Sequence, residues 1–220
     1  MAKLLFKNRL ERQKALEEVD IYPVISSEFC RGRKVEEVFL SIAEGGAKMV
    51  QIREKNRLKK EIFEIACKCR QIADSYGMLL IINDHVDVAL AVGADGVHLG
   101  QDDLPLVEAR RIAPELILGH STHNAAEAIY ADANGADYLN IGPIYPTKTK
   151  SLSYESLGIA EIDRISPMLH IPFTVMGGIK ERHLAELIAH GAKHIAMVTE
   201  ITEADDITRK VIDLRRYWEK

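Results

Sequence analysis

The chain has 220 residues, 47% hydrophobic and 28% charged, with a formal net charge of −4. That balance fits a soluble globular protein and gives no sign of nucleic-acid or anionic-membrane binding through bulk charge, so neither partner is expected, while leaving room for a local basic pocket. No apolar run nears the roughly 18 residues needed to span a bilayer and the N-terminus lacks a signal-peptide core, so a cytoplasmic protein is expected.

Met1 to Asp20 is charged and helix-prone, and reads as an arm, Phe6 to Val19, laid against a main body of residues 21–220. From Ile21 onward, short apolar runs alternate with amphipathic segments. The runs are Ile21–Ser26, Met49–Arg53, Leu79–Asn83, Gly96–Leu99, Ile117–Ser121, Tyr138–Ile141, Phe173–Met176 and His194–Val198. Each is rich in Val, Ile or Leu without strict polar alternation, as expected of parallel strands covered on both faces. The stretches between them carry helical spacing, for example Val35, Val38, Phe39 and Ile42, or Ala125, Ala128 and Ile129. Cys30, Cys67 and Cys69 match no disulfide or metal spacing, and are expected to be reduced and packed.

An internal repeat supports the strand count. Gly46-Ala47-Lys48, Gly93-Ala94-Asp95, Gly135-Ala136-Asp137 and Gly191-Ala192-Lys193 each close a helix and lead into the second, fourth, sixth or eighth run. Glycine there supplies a left-handed helix C-cap. Four strand-helix-strand-helix quarters predict a closed (β/α)8 TIM barrel rather than an open doubly wound sheet. The length lies at the short end of the barrel range, about 200 to over 400 residues, so the loops must be compact.

In a barrel, function lies at the C-terminal ends of the strands. The second run ends Gln51-Ile52-Arg53-Glu54-Lys55, the third Asn83-Asp84, the fourth Gln101-Asp102-Asp103 and the fifth Ser121-Thr122-His123. The sixth leads into Gly142 to Lys150, the seventh ends Gly177-Gly178 and the eighth Val198-Thr199. Asp84 and Asp103 offer only oxygen, which favours Mg²⁺ over zinc. Arg53 can grip phosphate through its fork, with Lys55 and Lys150 as point charges. Gly177-Gly178 and the turn after the eighth strand fall where barrels often hold a phosphate. Taken singly, Asp84 or Asp103 could merely cap the helix that follows. Likewise His98, inside a strand, suits a packed or hydrogen-bonded core residue, and His123 stands beyond a strand exit. It is the shared rim that points to a polyanionic substrate bridged to a hard divalent cation.

Gln51-Ile52-Arg53-Glu54-Lys55, Asn83-Asp84, Gly96-Val97-His98-Leu99-Gly100-Gln101-Asp102-Asp103 and Gly142-Pro143-Ile144-Tyr145-Pro146-Thr147-Lys148-Thr149-Lys150 resemble the thiamine phosphate synthase family in order and spacing. The resemblance runs from about Ile21 to Glu219. It implies a transferase in which hydroxymethylpyrimidine diphosphate loses pyrophosphate and the nitrogen of a thiazole phosphate takes its place, through a dissociative step. Carried over by position, Gln51, Ile52, Arg53, Glu54, Lys55, Asn83, Ser121 and Lys150 would contact the pyrimidine diphosphate. Asp84 and Asp103 would hold Mg²⁺. Thr147, Lys148, Thr149, Gly178, Val198 and Thr199 would contact the thiazole phosphate.

Among these, Arg53, Lys55, Ser121 and Lys150 are the expected catalytic groups. Ser121 would act by hydrogen bonding, since no Asp-His relay is evident, and Tyr145 to Lys150 would form a lid. One departure stands out: the family pattern Ser-Ala-Ile after the last strand is Thr199-Glu200-Ile201 here, which brings a carboxylate near the expected phosphate. The rival readings are a thiazole tautomerase, which needs no magnesium pyrophosphate site, and a non-catalytic phosphate-binding barrel. Small-molecule substrates are the expected partners, with a homo-oligomer possible.

Overall fold

The computed structural model describes residues 6–147 and 155–219. Eight strands form one closed, all-parallel barrel in chain order. They are β1 (Ile21–Ile25), β2 (Met49–Ile52), β3 (Leu79–Asn83), β4 (Gly96–Leu99), β5 (Ile117–Thr122), β6 (Tyr138–Ile141), β7 (Phe173–Val175) and β8 (His194–Met197). β1 pairs with β2 on one side and with β8 on the other, so no edge is left and the open-sheet alternative is excluded. Helices α2 (Val35–Glu44), α3 (Lys59–Tyr76), α4 (Val86–Val92), α5 (Leu106–Ile112), α6 (Ala125–Ala133), α7 (Ala160–Ile165) and α8 (Leu184–Ala189) each follow one strand, while α9 (Thr199–Thr202) and α10 (Ile207–Arg215) follow β8. The four repeat glycines, Gly46, Gly93, Gly135 and Gly191, all take positive φ, between 68° and 96°.

Strand alternation sorts the core into two layers. Ile21, Val50, Ile52, Leu80, Ile82, Val97, Leu118, Leu139 and Ile195 pack outward against the helices. Tyr22, Met49, Leu79, Ile81, Ile117, Tyr138 and Ala196 fill the barrel interior. Gly119 makes space there: a Cβ on it would lie 2.2 Å from the Tyr138 ring and 2.5 Å from His98 Nδ1. Burying about a dozen large side chains fully is worth roughly 1.5–3 kcal/mol each before conformational entropy is subtracted.

The N-terminal arm is a helix, α1 (Arg9–Glu17), opened by Asn8, whose side chain accepts from the Glu11 N–H. Leu16 and Val19 join the interior layer, so the arm seals the bottom of the barrel. A ring of acid–arginine pairs fastens it. Asp95 accepts the Leu80 N–H at 2.9 Å and pairs with Arg70 at 2.5 Å and Arg12 at 3.3 Å. Asp137 accepts the Leu118 N–H at 2.7 Å and pairs with Arg110 at 2.5 Å and Arg9 at 2.7 Å. Asp20 binds the Ile21 N–H and Arg215, both at 2.7 Å. The aspartates of the Gly-Ala-Asp repeats are therefore structural, each tying one strand to its neighbour from below.

Candidate active site

The inward parity that holds Met49 and Gln51 inside the barrel continues to Arg53, and that of Leu79 and Ile81 continues to Asn83. Thus the chain delivers a guanidinium and an amide to the mouth. Asp84 then breaks the strand with φ +63°, a left-handed value uncommon outside glycine, asparagine and aspartate. Its N–H donates to the His98 carbonyl at 2.8 Å, which fixes the turn beside the β4 exit.

The two acids meet there. Burial raises the Asp84 pKa from its ordinary value, the Lys55 ammonium opposes that, and contact with the Asp103 carboxyl raises it further. Lys55 donates to Asp84 Oδ2. Asp103 Oδ2 accepts the Gly100 N–H at 2.7 Å, which aims its carboxylate at the same space. Neither acid caps a helix: the residues before α4 and α5 are His85 and Pro105, and neither position carries a side-chain capping bond.

Arg53 stands near Asp84. Burial lowers its pKa from the ordinary value, and the Asp84, Glu28 and Glu54 carboxylates draw it back, so the guanidinium keeps its charge. Its backbone N–H donates to the Ile25 carbonyl at 2.8 Å, holding it at the β1–β2 junction. Glu54 has the opposite parity and serves the β1 exit, accepting the Ser27 N–H and hydroxyl, both at 2.7 Å. The Ile52 side chain lies in the outer core, so only its backbone can face the mouth.

Ser121 is tied to the interior by a chain of hydrogen bonds between distant strands, which linear order does not reveal. Gln51 Nε2 donates to the Tyr22 hydroxyl at 2.7 Å, and the Tyr22 and Tyr138 hydroxyls lie 2.9 Å apart. Tyr138 reaches His98 Nδ1 at 3.2 Å, and His98 Nε2 reaches Ser121 Oγ at 3.0 Å. Burial raises both tyrosine pKa values, so the phenols stay protonated and available as donors. His98 is thus the buried, hydrogen-bonded core residue expected, but it also orients a group at the mouth. The signal for the chain in the sequence is four polar residues, Tyr22, Gln51, His98 and Tyr138, on inward positions of apolar strands.

On the far side of the mouth, Gly177 (φ +106°) and Gly178 (φ +62°) turn the chain after β7. The structure gives them a reason beyond ligand access. A Cβ on Gly178 would lie 2.4 Å from the Pro146 carbonyl oxygen, and one on Gly177 2.4 Å from Pro143 Cβ. The segment from Pro143 to Pro146 therefore rests directly on the β7 exit. Thr199 opens α9, a single turn, so the helix dipole after the eighth strand is small. Lys148, Thr149 and Lys150 lie outside the described residues.

An (β/α)8 barrel with paired carboxylates, an inward guanidinium and a glycine turn at one rim is the construction of an enzyme that handles phosphorylated substrates. A family model described as thiamine monophosphate synthase matches residues 21–201. A thiamine-phosphate synthase of Pelotomaculum thermopropionicum is 44% identical over 199 residues, covering 90% of this chain and 91% of the relative. One from Shouchella clausii is 44% identical over 188 residues, covering 85% and 90%. The structure of a thiamine phosphate pyrophosphorylase from Pyrococcus furiosus superposes with a TM-score of 0.84 at 34% identity, covering 94% of this chain and 97% of that one. The chain belongs to the thiamine monophosphate synthase family.

Proposed function

We propose that this chain is a thiamine-phosphate synthase, an enzyme that joins hydroxymethylpyrimidine diphosphate to thiazole phosphate and releases pyrophosphate. The observation that carries the reading is the convergence of Arg53, Lys55, Asp84 and Asp103 at the exits of β2, β3 and β4. An isomerase acting on the thiazole phosphate alone has no use for that cluster.

The residues fit a magnesium ion. Asp84 and Asp103 are oxygen donors in mutual contact, and the raised Asp84 pKa marks an acid pair that a divalent cation would relieve. No cluster of three or more His, Cys, Asp or Glu is present among the described residues, which suits a cation that keeps waters and takes substrate phosphates as further ligands. When bound, Mg²⁺ supplies charge neutralisation on the diphosphate oxygens.

The C–O bond between the pyrimidine methylene and the diphosphate breaks, and its electron pair leaves with pyrophosphate. The thiazole nitrogen then gives its lone pair to the methylene carbon. Negative charge builds on the leaving group, so Arg53 and Lys55 bind the transition state more tightly than the ground state. Ser121, held by His98, and Gln51, held by Tyr22, orient the pyrimidine. Gly178, Val198 and Thr199 hold the thiazole phosphate. Purified protein supplied with Mg²⁺ and both phosphorylated halves should form thiamine phosphate, followed by chromatography. No product under those conditions overturns the reading, and turnover of the thiazole phosphate alone would favour the isomerase.

A further inference from the structure

Two residues past Gly178, Lys180 stretches across to the β8 exit. Its ammonium donates to Thr199 Oγ1 at 3.2 Å and pairs with Glu200 Oε2 at 3.3 Å. Glu200 is held from the other side by Lys210 at 3.5 Å, and Lys210 pairs with Glu181 at 2.9 Å. These four side chains form a row of alternating charge that sums to zero. The Lys180 backbone is fixed as well. Its N–H donates to His183 Nδ1 at 3.1 Å, and the His183 ring stacks on Tyr145 at 4.0 Å. The turn carrying Lys180 is therefore braced against the segment that carries Thr147.

We propose that Lys180 is a further ligand of the thiazole substrate's phosphate monoester, and that Glu200 competes for the same ammonium and sets how tightly that phosphate is held. The inference rests on the reading that the phosphate sits at Gly178, Val198 and Thr199. A phosphate that meets the Thr199 hydroxyl comes within reach of an ammonium already bonded to that hydroxyl. Lysine has three N–H donors; Thr199 and Glu200 take two, which leaves one for an incoming oxygen. Stability gives the pair little purpose, since partly exposed ion pairs contribute almost nothing to folding. Its value lies in what the ammonium does for a dianion. Glu200 keeps that charge balanced, and so lowers phosphate affinity below what Lys180 alone would give.

Steady-state kinetics with each substrate varied separately test this, in the intact chain with Mg²⁺. Lys180→Met should raise KM for thiazole phosphate on the order of tenfold relative to KM for the pyrimidine diphosphate, since charge-assisted hydrogen bonds are worth that much. Glu200→Gln should lower the thiazole phosphate KM roughly threefold. Thr199→Val reports on the phosphate position itself. If Thr199→Val raises the thiazole KM and Lys180→Met does not, the role of Lys180 is overturned while the phosphate site stands. If neither variant moves it, the phosphate lies elsewhere and both readings fall. A Glu200→Gln change that raises KM makes Glu200 a positioning residue for Lys180, which overturns the competition. Equal rises in both KM values for Lys180→Met show a structural role, which overturns the inference.

Discussion

Asp84 meets two unfavourable surroundings in one side chain. It is largely removed from water and it touches another carboxyl, and both raise its pKa. The sign of the pH dependence follows. The folded state keeps a proton that the unfolded chain has released, so the metal-free protein loses stability as pH rises from the ordinary value of 3.8 through the raised one. A cation must displace that proton, so Mg²⁺ affinity should weaken on acidification at a higher pH than for an ordinary aspartate. Titration calorimetry across pH measures it. Asp84→Asn removes the repulsion while asparagine tolerates the left-handed backbone. The variant should therefore fold at least as stably as the parent, yet lose on the order of 10²–10³ in kcat. A folded variant with full kcat would overturn the proposal that Asp84 holds a metal.

At the scale of elements, the barrel separates what folds it from what it does. The bottom is closed by α1 and its arginines, while Arg53, Lys55, Asp84 and Asp103 gather at the opposite rim. Arg12 is only 4% exposed, donates to the Glu115 carbonyl at 2.9 Å and pairs with Asp95. Removing it costs the fold, although Asp95 keeps Arg70 and the Leu80 N–H. Arg12→Ala should lower stability by about 3 kcal/mol, the low end for breaking a buried pair. Chemical denaturation reads that loss, and kcat should not move, because the mouth lies at the other end of the strands. A drop in kcat without a drop in stability would show that the two ends are coupled.

For the whole molecule, a ligand that binds only the folded state stabilises all of it. At a hundredfold excess over its Kd, Mg²⁺ should add about 2.7 kcal/mol. In a domain of this size that raises Tm by roughly 5–10 °C. Thermal scans with and without Mg²⁺ check it, and the rise should vanish in Asp84→Asn. An equal rise in that variant would place the cation elsewhere.

Much of the barrel is written in the local sequence. Short apolar runs that lack alternation suit a sheet covered on both faces, and glycines with positive φ before every second run count out the quarters. Because a parallel barrel brings every strand exit to one rim, listing the exits in order already collected Arg53, Lys55, Asp84, Asp103, Ser121 and Gly178. What linear order could not carry was direction and pairing across the barrel. Side-chain parity turned Ile52 outward and Glu54 toward Ser27. Closure set Tyr22 against Tyr138, 116 residues away, and so linked Gln51 to Ser121 through buried hydroxyls. The carboxylate of Glu200 was visible as an oddity in the sequence, but only the fold supplied Lys180 and Lys210 to hold it. Periodicity and turn chemistry are local, so the chain states them itself; a hydrogen bond between distant strands exists only once the barrel has closed.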